Sequence, residues 1–399
     1  MIIFKQNYET LIRKIFSAQW KYGTKILYFA ILISFSFITY YHLSKGFVMS
    51  SDSFWYSEAA DDLIKLDFKL HIYYFKNTHV IPSFFYTFPI LLIALSKLFF
   101  GAEWQNAFMT FNLILVFFSL ILFSKSLLLL KVRPLVISLA ILLLTLSSDL
   151  LTWPRYILTD MVSSFLVTAI VYVVIKSIIK EKSYYFLITL LIILMILTRP
   201  TSLAFILAIF CFILISKFKV NFNPKLILLF IFSLFIFIPF ILAILYQLME
   251  VYLSSNRKAF FLIDMVRDGM IIHDRPETWI DNPNTFFDIV NLYFMRLIYF
   301  FTPYVKNFST IHIILNTLQA LVILSSISIW LFLGEKYNSI NKVILLILLI
   351  SVSVASFHSL TLIDYDFRYR FPIIMPLIII FPISCEISLR KILYKNLRY

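Results

Sequence analysis

Three short polar segments interrupt an otherwise apolar chain, and they hold the side chains able to do chemistry. They are Ser51-Asp52-Ser53-Phe54-Trp55-Tyr56, Arg155-Tyr156-Ile157-Leu158-Thr159-Asp160 and Asp364-Tyr365-Asp366-Phe367-Arg368-Tyr369-Arg370. Asp52 and Asp160 are carboxylates at apolar boundaries, where partial desolvation raises basicity and suits a general base. The same pair could instead share a divalent cation through oxygen ligands. Asp160, at the head of the apolar run 161–179, also stands where a helix N-cap would. Arg368 and Arg370 flank Tyr369. A guanidinium fork matches phosphate oxygens, and an aromatic ring stacks on a sugar or an isoprenoid, although the same residues also suit headgroup anchoring. Arg199, in Leu197-Thr198-Arg199-Pro200, and Arg155 suit lipid phosphate or anchoring equally. Lys76 and His79, ahead of Pro82, are further ligand contacts in this reading, and Tyr56 is the aromatic contact beside Asp52. Glu58, Asp61 and Asp62 read as the solvated side of an amphipathic helix.

Positioning these residues falls to membrane helices. The chain is 61% hydrophobic and 14% charged, with a mean hydropathy of +0.92. Soluble domains average about 45–50% apolar and about 25% charged residues. The apolar runs are continuous, not alternating, so helices and not a barrel satisfy the backbone in lipid. The pattern predicts an all-α polytopic membrane protein with about ten spans: 26–43, 105–130, 135–151, 161–179, 184–197, 201–216, 226–246, 311–333, 343–357 and 371–389. The stretch 83–100, which contains Pro89 and Lys97 and ends at Gly101, reads as an interfacial or re-entrant helix.

Charge supports that choice. With the N-terminus inside, Lys131, Arg133, Lys180, Lys182, Lys217, Lys219, Lys225, Lys336, Lys342 and Arg390 all fall on the inner side, accompanied by few acids. A full span at 83–100 would invert every basic loop after it. The outer segments 44–104 and 247–310 are long and rich in ionisable and aromatic residues, as functional loops are. Asp52, Asp160 and the Arg368 segment then share the outer face. The basic N-terminal segment reads as a signal anchor, not a cleaved leader. The whole chain, 1–399, reads as one membrane domain.

Other classes lack support. The +14 net charge is dispersed among loops, so nucleic acid is not an expected partner. With five glycines and no phosphate-cradle motif, a nucleotide site is unsupported. Cys211 and Cys385 lie in apolar runs, and the histidines lack zinc spacing. The runs 162–175, 186–197, 201–216, 226–246 and 343–357 carry no charge. Ion-coupled transport usually needs ionisable groups at mid-membrane, so a lipid or glycan transporter stands as the alternative to surface chemistry.

The layout resembles the GT-C superfamily of polyprenyl-phosphate-sugar glycosyltransferases, and within it the bacterial relatives of protein O-mannosyltransferases and of the lipid A aminoarabinose transferase. Three features carry the likeness. An acid lies in the first outer loop in a D-S-x-x-Y-like context, here Asp52-Ser53-Phe54-Trp55-Tyr56. A second acid, Asp160, follows the third span. An R-Y-x-x-P-type motif opens a late span, here Arg368-Tyr369-Arg370-Phe371-Pro372. The resemblance implies a polyprenyl-phosphate-linked sugar as donor and a lipid, polysaccharide or protein as acceptor, with inversion at the anomeric carbon. It implies Asp52 as base, Asp160 as its orienter, and Arg368, Arg370 or Arg199 at the phosphate. No cofactor is required, and a divalent cation stays open. The expected location is the cytoplasmic membrane, with the active site on its outer face. Many relatives carry a soluble C-terminal domain. This chain ends about ten residues past its last span, which leaves acceptor recognition to the outer loops.

Overall fold

The computed structural model describes residues 2–76, 84–217, 223–253, 266–267, 269–272, 278–303, 309–334, 337–360 and 368–396. Among them the chain is helical throughout. In order run α1 (Ile2–Lys45), α2 (Ser51–Lys65), α3 (Leu70–Lys76), α4 (Thr87–Phe100), α5 (Trp104–Leu129), α6 (Pro134–Thr145), α7 (Asp160–Lys180) and α8 (Tyr185–Ile196). They are followed by α9 (Ser202–Lys217), α10 (Pro224–Leu253), α11 (Phe286–Phe301), α12 (Thr310–Leu333), α13 (Asn338–Ser359), α14 (Phe371–Ile378) and α15 (Ile380–Asn396). Seven helical segments are long and apolar enough to cross a membrane: Tyr22–Lys45, Thr87–Leu129, Asp160–Lys180, Pro224–Glu250, Thr310–Leu333, Asn338–Ser359 and Arg368–Ile392. Three shorter apolar helices accompany them, Pro134–Thr145, Tyr185–Ile196 and Ser202–Ser216. The chain is a multi-pass helical membrane protein.

Burial divides the helices by role. A helix that is apolar all round is either core or lipid-facing. α7, α13 and α14 are core: most of their residues are buried, from Met161 to Ile175, Val343 to Ala355, and Phe371 to Ile378. α7 packs on α5 and α14, and α13 packs on α9 and α11. α10 and α12 are the opposite case, with Leu229, Phe232, Phe237, Ile311, Leu321 and Leu324 exposed. Water would not tolerate such faces, and the acyl region does.

Two boundaries differ from those read in the sequence. The stretch 83–100, read as an interfacial or re-entrant helix, forms α4 and runs through the 3-10 turn Gly101–Glu103 into α5, giving an apolar segment of 43 residues. Gly101 makes the bend, at a φ of +53° that L side chains rarely adopt. The span expected at 135–151 ends earlier as a helix, at Thr145. Ser147–Thr152 then turn back toward the bundle, with the Ser147 and Leu151 amides bonded to Leu144 and Ser147 carbonyls.

The end of the bundle opposite Arg370 is closed by a carboxylate. Glu386 on α15 accepts from the Arg133 amide (3.1 Å) and Nε (3.2 Å), just ahead of α6, and from Arg390 Nε (2.9 Å). It thus pairs with two arginines and satisfies an amide at the α6 N-terminus.

Candidate functional site

Arg368 is the centre of the site. It stands in the 3-10 turn Arg368–Arg370 that leads into α14. Its Nη1 donates to Asp52 Oδ2 at 2.6 Å and its Nε to Asp160 Oδ2 at 2.9 Å. Arg199 Nη1 donates to the other Asp160 oxygen at 2.5 Å. Positions 52, 160, 199 and 368 are thereby joined in one chain of alternating charge.

Local structure explains each placement. Ser50 caps α2 in a reciprocal box with Ser53, so Asp52 falls in the first turn, where its charge also meets the helix dipole. Just before it, the Val48 amide donates to the Arg155 carbonyl (3.0 Å) and the Ile157 amide to the Val48 carbonyl (3.1 Å). This isolated parallel bridge fastens the start of α2 to the segment that ends in Asp160. Asn112 of α5 donates to the Pro154 and Tyr156 carbonyls and fixes that segment from behind. Lys97 of α4 holds the far side of α2 through Asp61 (2.7 Å) and the Ser57 carbonyl.

The two carboxylates live in different surroundings. The Asp160 side chain is 1% exposed and that of Asp52 47%. Asp160 is the first residue of α7, and the capping position belongs to Thr159, which makes no side-chain cap bond. The N-cap reading of Asp160 is therefore replaced by an ionic one: both its oxygens accept from guanidinium groups. Burial works against the charge of Arg199, but the Asp160 carboxylate, with Tyr369 and Tyr86 beside it, raises the Arg199 pKa on balance. An uncompensated buried charge would cost several kcal/mol, so these groups are held charged by one another.

An aromatic wall surrounds the ions. Tyr369 lies 5.0 Å under the Arg199 guanidinium and stacks on His358 with ring centroids 4.0 Å apart. Trp55, Tyr56 and Tyr86 pack against one another at 5.2 to 5.7 Å. Burial first, then the neighbouring Tyr86, pushes the Tyr56 hydroxyl above its usual range, so it serves as a neutral hydrogen-bonding group. Tyr86 is raised by burial too.

The remaining candidates go elsewhere. Arg155 lies over the Tyr156 ring, 5.8 Å from its centroid, and is not brought to the cluster. Arg370 turns away from Arg368 and donates to the Thr302 carbonyl at 3.3 Å. Lys76 ends α3, and its side chain and His79 lie outside the described residues, as do Asp364 and Asp366. For a divalent cation the fit is poor. Among the described residues no three of His, Cys, Asp or Glu gather, and the guanidinium of Arg368 stands between Asp52 and Asp160 where a shared ion would sit. Sequence reading missed Tyr86, His358 and a buried Asp149. His358 has no motif to betray it, but it lies ten residues before Arg368 in the sequence.

Comparison of the chain with protein-family models, with curated proteins and with solved structures returns no match.

Proposed function

We propose that the protein is a membrane glycosyltransferase that moves a sugar from a polyprenyl phosphate to an acceptor hydroxyl on the outer face of the cytoplasmic membrane. In this reading the seven long apolar helices and the three shorter ones supply ten crossings. The observation that carries it is the asymmetry of the carboxylates around Arg368: one buried and doubly paired, the other half exposed and singly paired. That division suits a fixed structural anion and an accessible base.

Arg368 and Arg199 bring two positive charges to the site, and Asp160 keeps them in place. A donor phosphate arriving there competes with Asp52 for Arg368, which frees the Asp52 carboxylate. Asp52 then takes the proton of the acceptor hydroxyl as its oxygen attacks the anomeric carbon. The bond from that carbon to the phosphate oxygen breaks, and its electron pair leaves with the polyprenyl phosphate. Charge develops on that oxygen, where the arginines stabilise it most. Attack opposite the leaving group inverts the anomeric carbon. Trp55 and Tyr86, less buried than Tyr56, offer rings for the sugar. The acceptor is a lipid, a polysaccharide or a protein.

The test is mass spectrometry of surface glycans and lipids from wild-type cells, a deletion strain, and the deletion carrying Asp52→Asn. A sugar mass lost in the deletion and not restored by Asp52→Asn supports transfer with Asp52 as base. Full restoration by Asp52→Asn removes Asp52 from the chemistry and brings lipid or glycan transport forward.

A further inference from the structure

A second polar group lies on the other side of the Arg368–Arg370 turn, away from Asp52. Its centre is Asn316, on α12 and buried. The Ser148 hydroxyl donates to the Asn316 side-chain oxygen, while the Asn316 Nδ2 has no hydrogen-bond partner. One helical turn further on, Gln319 Oε1 also has none. Neither does Oδ2 of Asp149, which is buried in the turn beside Ser148. Burying such atoms unpaired costs about 1–3 kcal/mol each. Two of them, on Asn316 and Gln319, line one cavity and mark a site that a polar ligand satisfies.

Asn316, Gln319 and Arg370 stand at one end of a cavity of about 490 Å³. The rest of its wall is apolar: Phe235 of α10, Leu324 and Ile327 of α12, Val352 of α13 and Ile374 of α14. From Asn316 to Ile327 the wall follows α12 for about 16 Å. α10 and α12 both expose long apolar faces, so the cavity borders the bilayer and not the water. A polar head over a long apolar bore fits one chain of a lipid.

The orphan atoms also select the head. Gln319 Oε1 needs a donor, and Asn316 Nδ2 needs an acceptor. A phosphate only accepts, and it would add negative charge near Asp149. The positive charge of Arg370 is already opposed by Asp149 and bonded to the Thr302 carbonyl. A hydroxyl both donates and accepts, and it adds no charge. We propose that this cavity binds a chain of a membrane lipid whose head group is uncharged and hydroxyl-bearing, with Asn316 and Gln319 holding the head. The site is separate from the Asp52–Arg368 cluster, and it does not depend on the transferase reading.

The test uses the full chain in phosphatidylcholine nanodiscs and two photoreactive probes with the same acyl chain, a monoacylglycerol and a lysophosphatidic acid. Labelled peptides are located by mass spectrometry. The monoacylglycerol is expected to label α12 and α14 saturably. The lysophosphatidic acid should label them about tenfold less. Asn316→Leu with Gln319→Leu should weaken monoacylglycerol labelling about tenfold, as expected for lost buried hydrogen bonds. Ala320→Trp narrows the bore while leaving the Asn316 and Gln319 side chains in place, and should abolish labelling at an unchanged melting temperature, which keeps the test valid if the polar variants assemble poorly. Absent labelling, labelling indifferent to Ala320→Trp, or equal labelling by the phosphate probe would each overturn the proposal.

Discussion

At the scale of single residues, Arg368 matters for its shape as much as for its charge. It meets Asp52 through Nη1 and Asp160 through Nε, two directions that one planar fork supplies together. A lysine ammonium offers compact charge but not that fork. Arg368→Lys should therefore fold and retain ligand binding while its turnover falls, by about 10²–10³-fold if it is the principal stabiliser of the leaving phosphate. Steady-state kinetics check this, because a purely structural role would lower the yield of folded protein and leave kcat alone. Asp149 makes a second case. Burial raises its carboxyl above the ordinary 3.8, with Arg370 and His312 opposing. An acid so raised holds its proton more tightly folded than unfolded. Its contribution to stability is thus favourable at low pH and is lost as pH climbs from about 3.8 through the folded value. Melting curves of the wild type and Asp149→Asn should diverge over that window, with the variant gaining as pH rises. A constant gap would show Asp149 to be unperturbed.

At the scale of elements, the proposed role of Asp52 requires a half-exposed side chain to be held still. Two fastenings secure the head of α2: the Ser50–Ser53 box and the Val48 bridge. Ser50→Ala removes the cap at a cost of about 1 kcal/mol. It should lower kcat more than it lowers the melting temperature, and Ser50→Thr should restore kcat. Equal kcat in Ser50→Ala would mean that the bridge alone suffices. The opposite end of the bundle behaves differently. Glu386 is 5% exposed and Arg133 11%. Removing the carboxylate with Glu386→Ala leaves buried guanidinium charge and should cost about 3–5 kcal/mol. Activity per folded molecule should stay at the wild-type level, since no group of the Arg368 cluster touches that end. Thermal denaturation beside specific activity separates the two effects.

At the scale of the whole molecule, sequence and structure part where distance along the chain stops being a guide. Continuous apolar runs announced the helices because lipid leaves the backbone no alternative. Asp52, Asp160, Arg199 and Arg368 were each legible as ionisable residues at span ends. Their pairing was not, because it joins positions 316 and 208 residues apart. Asp149 and Asn316 stayed hidden inside apolar runs, where a lone polar residue carries no period. The short helices add a consequence. α6 and α8 have 12 residues each and rise about 18 Å, against about 30 Å of hydrocarbon. Their starts lie beside basic residues, Arg133 and Lys182, which in the proposed topology sit at the inner surface. Their far ends, which lead to Asp149 and Arg199, then fall short of the outer surface. That topology predicts that the site is a recess within the outer leaflet. Single cysteines test this in a background where Cys211 and Cys385 are alanine. A membrane-impermeant thiol reagent applied to whole cells should label Asp62→Cys on exposed α2 rapidly and Lys391→Cys on α15 only after lysis. Thr198→Cys, beside Arg199 and 1% exposed in the wild type, should react slowly from outside. Labelling of Lys391→Cys in intact cells would invert the topology. Fast labelling of Thr198→Cys would bring the site up to the surface, where water would weaken the hold of Arg368 on a phosphate.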